Sequence, residues 1–315
     1  MKRAALLVTL LQLAVIAWGE HVYKLRKWSI PPGNYSGITH IGGDRYAVVS
    51  DKSPGAGFYV WRLGFDERDG RLLNVYAEGF RGVPWDYDRD AEGVAYCPWR
   101  QSVFISGEED QRILEHSLDG TPTGNELSIP THVSRDRIQP GRGFEALCCD
   151  TVRRLLWTVT ESNIKSDSTG HLRLLCFGDD LQPKGEFSYV LGESRLGNDD
   201  AGHYYGVVAL SALGDGSLLV LEREALITGR RLGSKCRCVL LRFVPVDGAR
   251  TELAEWTTRF TLADTRFANY EGMCLGPVLP DGRQTILLLS DSQAGMGRLF
   301  WHLRDRLMVV PVRLD

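Results

Sequence analysis

NYEGMCLGP occupies Asn269–Pro277, and four other stretches of the chain repeat its pattern. DAEGVAYCP (Asp90–Pro98) and GFEALCCDT (Gly143–Thr151) are close copies; YYGVVALSA (Tyr204–Ala212) and YSGITHIGG (Tyr35–Gly43) are looser ones. After each comes a short turn and a second apolar run: RYAVVSD (Arg45–Asp51), SVFISGE (Ser102–Glu108), LLWTVTE (Leu155–Glu161), SLLVLER (Ser217–Arg223) and TILLLSD (Thr285–Asp291). These runs are rich in β-branched residues and leucine and are of strand length. A third run follows in each unit: FYVWRL (Phe58–Leu63), RILEHSL (Arg112–Leu118), LRLLCF (Leu172–Phe177), CVLLRFV (Cys238–Val244) and RLFWHL (Arg298–Leu303). No stretch has the periodicity of an amphipathic helix.

Counted from Ser36, Glu92, Glu145, Tyr205 and Glu271, the units are spaced by roughly 56, 53, 60 and 66 residues. An all-β unit of this size, repeated, is the signature of a propeller whose blades each hold four strands. The short last unit and the residues before Ser36 together make one more full unit. An N-terminal strand within HVYKLRKWSI (His21–Ile30) is therefore expected to complete the blade reached by LMVVPVRL (Leu307–Leu314), so that the ring removes its own edges. Five units account for the chain and favour five blades; six is the alternative if one blade is too degenerate to recognise.

Residues 1–19 carry Lys2 and Arg3, then an apolar run to Trp18, with Ala17 and Gly19 forming a small-x-small cleavage signal. This reads as a signal peptide, leaving residues 20–315 as one propeller domain, exported to the periplasm or the outside. No later stretch is long and apolar enough to span a membrane. The formal charge of −3 is mildly acidic and argues against a nucleic-acid partner. Seven cysteines in an exported chain is an odd count. Four of them follow the repeated phrase inside expected strands, which favours buried structural residues over a disulfide framework, with one or two bridges left open.

In a propeller the first strand lines the central channel and the second runs antiparallel beside it. The start of one and the end of the other thus share a face. On that face the sequence places Glu92, Glu145 and Glu271 from the phrases, with Ser36 and Tyr205 in the corresponding positions of the other two units. From the second strands come Asp51, Glu108, Glu161, Glu222 and Asp291. Eight carboxylates converging on one funnel repel one another, which raises their pKa values or calls for cations. Lys52, Arg142, Lys165 and Arg223 are near enough in sequence to neutralise part of the set and to contact an anion. A hard, oxygen-seeking ion such as calcium, held by Glu92, Glu145 and Glu271, is the candidate for the rest. The simpler alternative is that these side chains pin neighbouring blades together. His40 and His203 stand near two phrases as candidate acid–base groups, and Asp199 and Asp200 lie on a polar loop that could add ligands. There is no nucleophile elbow, dinucleotide fingerprint or zinc spacing.

Together the five motifs, in this order from Tyr35 to Phe300, resemble the phytase-like family, described as having the esterase-like activity of phytase. LLVLERE (Leu218–Glu224) and the pairing of EG (Glu271-Gly272) with LLLSDSQ (Leu287–Gln293) are its most specific features. Ala146, where the family has glycine, and Gly107 depart from the pattern. The resemblance implies an exported bacterial propeller and a hydrolase of phosphate or other esters. It supplies no catalytic residues. Three readings stand: a calcium-assisted phosphoesterase, with loop residues such as Arg135, Arg137, Arg142, Arg230 and Arg231 adding charge; another metal-assisted ester or lactone hydrolase; and a propeller that only binds a ligand or protein. A monomer acting on a small-molecule ester or phosphate is expected.

Overall fold

A computed structural model describes residues 21–84, 89–197, 202–229, 232–261, 267–292 and 303–314. The expected leader, residues 1–19, lies outside them. Among the described residues, twenty strands form five four-stranded antiparallel sheets. Blade I is β2 (Tyr35–Gly42), β3 (Arg45–Ser50), β4 (Ala56–Phe65) and β5 (Leu72–Val83). Blade II is β6 (Ala91–Cys97), β7 (Ser102–Gly107), β8 (Arg112–Ser117) and β9 (Pro122–Glu126). Blade III is β10 (Phe144–Asp150), β11 (Leu155–Thr160), β12 (His171–Phe177) and β13 (Pro183–Val190). Blade IV is β14 (His203–Ala212), β15 (Leu218–Leu226), β16 (Lys235–Val244) and β17 (Ala249–Arg259). Blade V runs β18 (Asn269–Val278), β19 (Gln284–Asp291), β20 (Arg306–Val312) and, outermost, β1 (His21–Lys24).

The middle strands read as unbroken apolar runs because both of their faces are buried. In β19, Ile286 and Leu288 pack towards blade IV, while Leu287 and Leu289 pack towards blade I. Five apolar clusters result, one at each blade-to-blade contact. The seven cysteines lie in strands, six of them buried and none in a disulfide.

Ring closure differs in detail from expectation. The third place in blade V belongs to β20, not to Arg298–Leu303, of which residues 298–302 lie outside the described residues. The N-terminal strand is short, pairing His21 with Val309 through Lys24 with Arg306, and then gives way to a 3-10 helix at Leu25–Trp28. Leu307, Met308 and Val309 are almost wholly shielded from solvent. Their burial contributes roughly 2 kcal/mol each, a total comparable to the whole stability of many domains. Deleting residues 307–315 also removes the partner of β1. The truncated chain is expected to show no cooperative thermal transition by circular dichroism; an unchanged melting curve would contradict closure by these strands.

Candidate functional site

Each inner strand carries a β-bulge near the channel mouth. In β2, β10 and β18 the unpaired residue is Ser36, Glu145 and Glu271; in β6 the irregularity spans Glu92 and Gly93. A bulge adds one residue and re-aims its side chain, and here it turns those side chains towards the axis. The glycine that follows lets adjacent inner strands meet: a Cβ on Gly37 would fall 2.5 Å from the Glu92 carbonyl oxygen, and one on Gly93 2.5 Å from that of Glu145. At Ala146 a Cβ is accommodated, and the close approach between blades III and IV occurs instead where Gly206 meets the Glu161 carbonyl.

Blade IV corrects the sequence alignment. Its bulge falls at Val208, between Val207 (opposite Glu222) and Ala209 (opposite Leu221). Val208, not Tyr205, therefore corresponds to Glu92, Glu145 and Glu271, and it lines the channel void with them. The same shift moves the second ring by one residue, which in a strand reverses the side chain's face. Arg223, not Glu222, corresponds to Asp51, Glu108, Glu161 and Asp291. Glu222 instead points between blades III and IV. It accepts hydrogen bonds from Tyr189 Oη (2.6 Å), Tyr205 Oη (2.5 Å), Gly192 N (3.2 Å) and Arg250 Nη2 (2.8 Å). It pins blades, as the simpler alternative requires, and is not a funnel carboxylate.

Arg223 is buried and spans the funnel. Its guanidinium donates to Glu161 Oε1 (2.6 Å), to Asn269 Oδ1 (2.8 Å) and to Glu271. Arg142 reaches Glu161 from the other side, its guanidinium 4.6 Å from the Tyr204 ring centre. One side of the funnel is thus neutralised by two arginines. Burial still pushes the Glu271 carboxyl up, against the pull of Arg223. Asp51 accepts from Asn34 Nδ2 (3.2 Å) and lies 3.6 Å from the exposed Lys52 ammonium. Asp291 is buried beside Ser292, whose hydroxyl donates to Asn34 Oδ1 (3.0 Å). Lys165 is not brought to the funnel: its ammonium donates to the Asp136 carbonyl (2.8 Å) on the surface.

On the other side the arrangement is acidic. Asp90, Glu92 and Glu108 each offer an oxygen, all within 4.8 Å of one another. Asp90 has a left-handed backbone, φ 53°. Just before it the buried Arg89 forks onto Asp110 (2.6 and 3.1 Å) and the Arg112 carbonyl (2.9 Å), fixing the approach to β6. Glu108 also accepts from Gly143 N (3.0 Å), so it both pins blade III and joins the group. Burial, then the charges of Glu271, Asp90, Glu108 and Asp291, push the Glu92 carboxyl well up. Glu108 is raised by burial and by Asp90 and Glu161, against the Gly143 N–H. Burial and Glu161 push Glu145 well up, and its shielded Oε2 has no hydrogen-bond partner among the described residues. The void between the inner carboxylates is about 10 Å³, near the space that one water-sized sphere fills. Of the expected metal trio, then, only Glu92 lies in the close three-carboxylate group; Glu271 is engaged by Arg223, and Asp90 and Glu108 take the other two places.

Sequence reasoning passed over Asp90, although the repeated phrase DAEGVAYCP starts on it; the left-handed turn that aims it inward leaves no trace in composition. It also passed over Glu224, buried under the loop at 192–197. Glu224 accepts from Ser194 Oγ (2.6 Å), Leu196 N (3.0 Å), the His203 ring (2.9 Å) and Arg237 (3.2 Å). Burial raises its carboxyl, but these bonds prevail and hold it at about 2. His203 is thereby a loop fastener. His40 lies near the end of β2, bonded to the Gly43 carbonyl of the following turn (2.8 Å), beside a cavity of about 390 Å³ at the opposite end of the channel. Asp199, Asp200, Arg230 and Arg231 lie outside the described residues. Arg135 and Arg137 are on an exposed loop, Arg137 beside Asp136 (3.5 Å).

Residues 30–293 match the sequence profile of the phytase-like family, described as "Esterase-like activity of phytase". The chain belongs to the phytase-like family. The matched span covers blades I–IV and the two inner strands of blade V, and with them both carboxylate rings. No curated protein sequence matches this phytase-like chain. Among solved structures it is similar to a luciferin-regenerating enzyme (12% identity, 94% of this chain and 96% of the other, TM-score 0.46). It is also similar to the Pseudomonas aeruginosa periplasmic gluconolactonase PpgL (15%, 86% and 71%, TM-score 0.39). A third is an exo-β-1,3-galactanase from Phanerochaete chrysosporium (9%, 94% and 64%, TM-score 0.49). Likenesses at this level carry no argument about activity. Among the described residues no helix is long and apolar enough to cross a membrane.

Proposed function

We propose that this phytase-like propeller is an exported, monomeric hydrolase of phosphate or other esters that works with calcium held by Asp90, Glu92 and Glu108. The observation that carries this reading is the grouping of three carboxylate oxygens within 4.8 Å of one another, on the side of the funnel away from Arg223. Calcium takes several oxygen ligands at about 2.3–2.6 Å, a spacing these side chains can meet. The acidic surroundings of Glu92 and the unpartnered Oε2 of Glu145 fit a cation better than a bare protein. When bound, the ion would polarise an ester oxygen as a Lewis acid.

The chain's own residues supply the rest. Arg142, half-buried on the rim, and the exposed Lys52 can orient an anionic ester. Glu145, whose carboxyl burial and the Glu161 charge push well up, is the candidate group for holding a proton at Oε2. Because burial and neighbouring carboxylates raise Glu92 and Glu108, affinity for a cation should weaken as pH falls and these groups take up protons.

The ion-sized void also favours a second reading, in which the cation is structural and the rim binds a ligand without chemistry. An assay of p-nitrophenyl phosphate and p-nitrophenyl butyrate, with calcium or with chelator, separates the two. The hydrolase reading expects turnover of at least one ester that needs calcium and falls at least about 100-fold in Glu92→Gln, the scale of losing one charge-stabilising group. No turnover of either ester by folded, calcium-treated protein would leave the binding reading.

A further inference from the structure

Cys97, the last residue of β6, and Cys149, near the end of β10, come from neighbouring blades and are 52 residues apart, yet their sulfurs lie 3.6 Å apart. Both belong to the cluster that joins blades II and III. Cys97 is fully buried, whereas Cys149 is half-buried and lines the roughly 390 Å³ cavity at the channel end opposite the carboxylates. The other nearby cysteines, the consecutive Cys148 and Cys149 of β10 and the Cys236 and Cys238 of β16, pair only within one strand, where a bridge would bind nothing together.

We propose that Cys97 and Cys149 are a site of covalent modification, closed to a disulfide that staples blade II to blade III. A disulfide needs its sulfurs about 2.05 Å apart, so the two must close by some 1.5 Å, within reach of small side-chain rotations. The oxidant is a small-molecule or protein disulfide. The Cys149 thiolate attacks one sulfur of it and releases one thiol, leaving a mixed disulfide. The Cys97 thiolate then attacks Cys149 Sγ and releases the second thiol. Two protein thiols lose two electrons and two protons, and one external disulfide becomes two thiols. The contact with Cys97, and then burial, push the Cys149 thiol up, so exchange is slow in the folded protein and the bridge closes most readily as the two blades dock. This inference is independent of what the funnel does.

The test is to treat the reduced full chain with oxidised glutathione, both folded and during refolding. Remaining thiols are then trapped and the digest is mapped by mass spectrometry. The expected result is one cross-linked peptide pair joining Cys97 to Cys149, with the five other thiols retained. The melting temperature should rise by roughly 5–10 °C over the reduced form, since the bridge closes a loop of about fifty residues. Cys97→Ser and Cys149→Ser should melt identically in oxidised and reduced buffer. If a serine variant fails to fold, the wild-type peptide map decides alone. Seven intact thiols after both treatments, bridges through other pairs, or a bridge that lowers the melting temperature would each overturn the proposal.

Discussion

Replacing Arg223 with methionine is expected to destabilise the protein by about 3–5 kcal/mol at neutral pH, the cost of breaking a buried ion pair by removing one partner. The volume is nearly kept, so packing alone predicts a small effect. The electrostatic loss is large because Arg223 holds Glu161 and Glu271 at once, and among the described residues no other arginine contacts Glu271. The sign of the pH dependence is fixed by Glu271, whose folded pKa already lies above its ordinary value. A carboxylate raised in the folded state costs stability above its folded pKa, and the cost fades as pH falls and the group takes up a proton. The gap between wild type and Arg223→Met should therefore narrow towards acid. Arg223→Lys should fall between them, since a single ammonium cannot fork onto two carboxylates. Urea unfolding at neutral and at acidic pH measures this; a pH-independent loss below about 1 kcal/mol would mean that Arg223 is filler.

The second large effect concerns calcium. A ligand that binds only the folded state stabilises it by about 2.7 kcal/mol at a hundredfold excess over its dissociation constant. Millimolar calcium should raise the melting temperature of the wild type, and chelator should lower it. Glu92→Gln combined with Glu108→Gln should abolish that response. Without metal, the double variant should be more stable than the wild type, because the buried Glu92 charge is gone, and with it the cost of its burial and of its repulsion from Glu271, Asp90 and Asp291, while the side-chain shapes remain. Glu271→Gln provides the contrast: it should keep the calcium response, because Glu271 is engaged by Arg223 and stands outside the close three-carboxylate group. Blade-pinning alone predicts the reverse for the double variant, a loss of stability at every calcium concentration.

The architecture was legible because a propeller repeats one local rule. Runs such as TILLLSD are apolar on both faces, since each blade is sandwiched between two others, and their spacing then counts the blades. Closure was legible from the two half-units at the ends, although the short β1 and the place of β20 were not. The funnel was only partly legible, and the reason is local. In the fourth unit the eye aligns on Gly206, but the bulge lies at Val208. Matching VVALSA (Val207–Ala212) to FEALCC (Phe144–Cys149) would have given the right register. That slip exchanged Arg223 for Glu222 and concealed that one blade carries the counter-charge for two others. Asp90 escaped because its inward aim depends on a left-handed residue held by the Arg89–Asp110 pair. Ala146 and Gly107 departed from the family pattern without cost to the fold, the former because blades III and IV make their close contact elsewhere.

Calcium titration by isothermal calorimetry, on the full chain and on the Glu92→Gln, Glu108→Gln variant, addresses the cation site most directly. The account predicts one saturable site in the wild type. It also predicts an affinity that rises with pH and dilution heat alone in the variant. Dilution heat alone in the wild type, or the same binding in both proteins, would contradict the assignment of Asp90, Glu92 and Glu108 as the cation site.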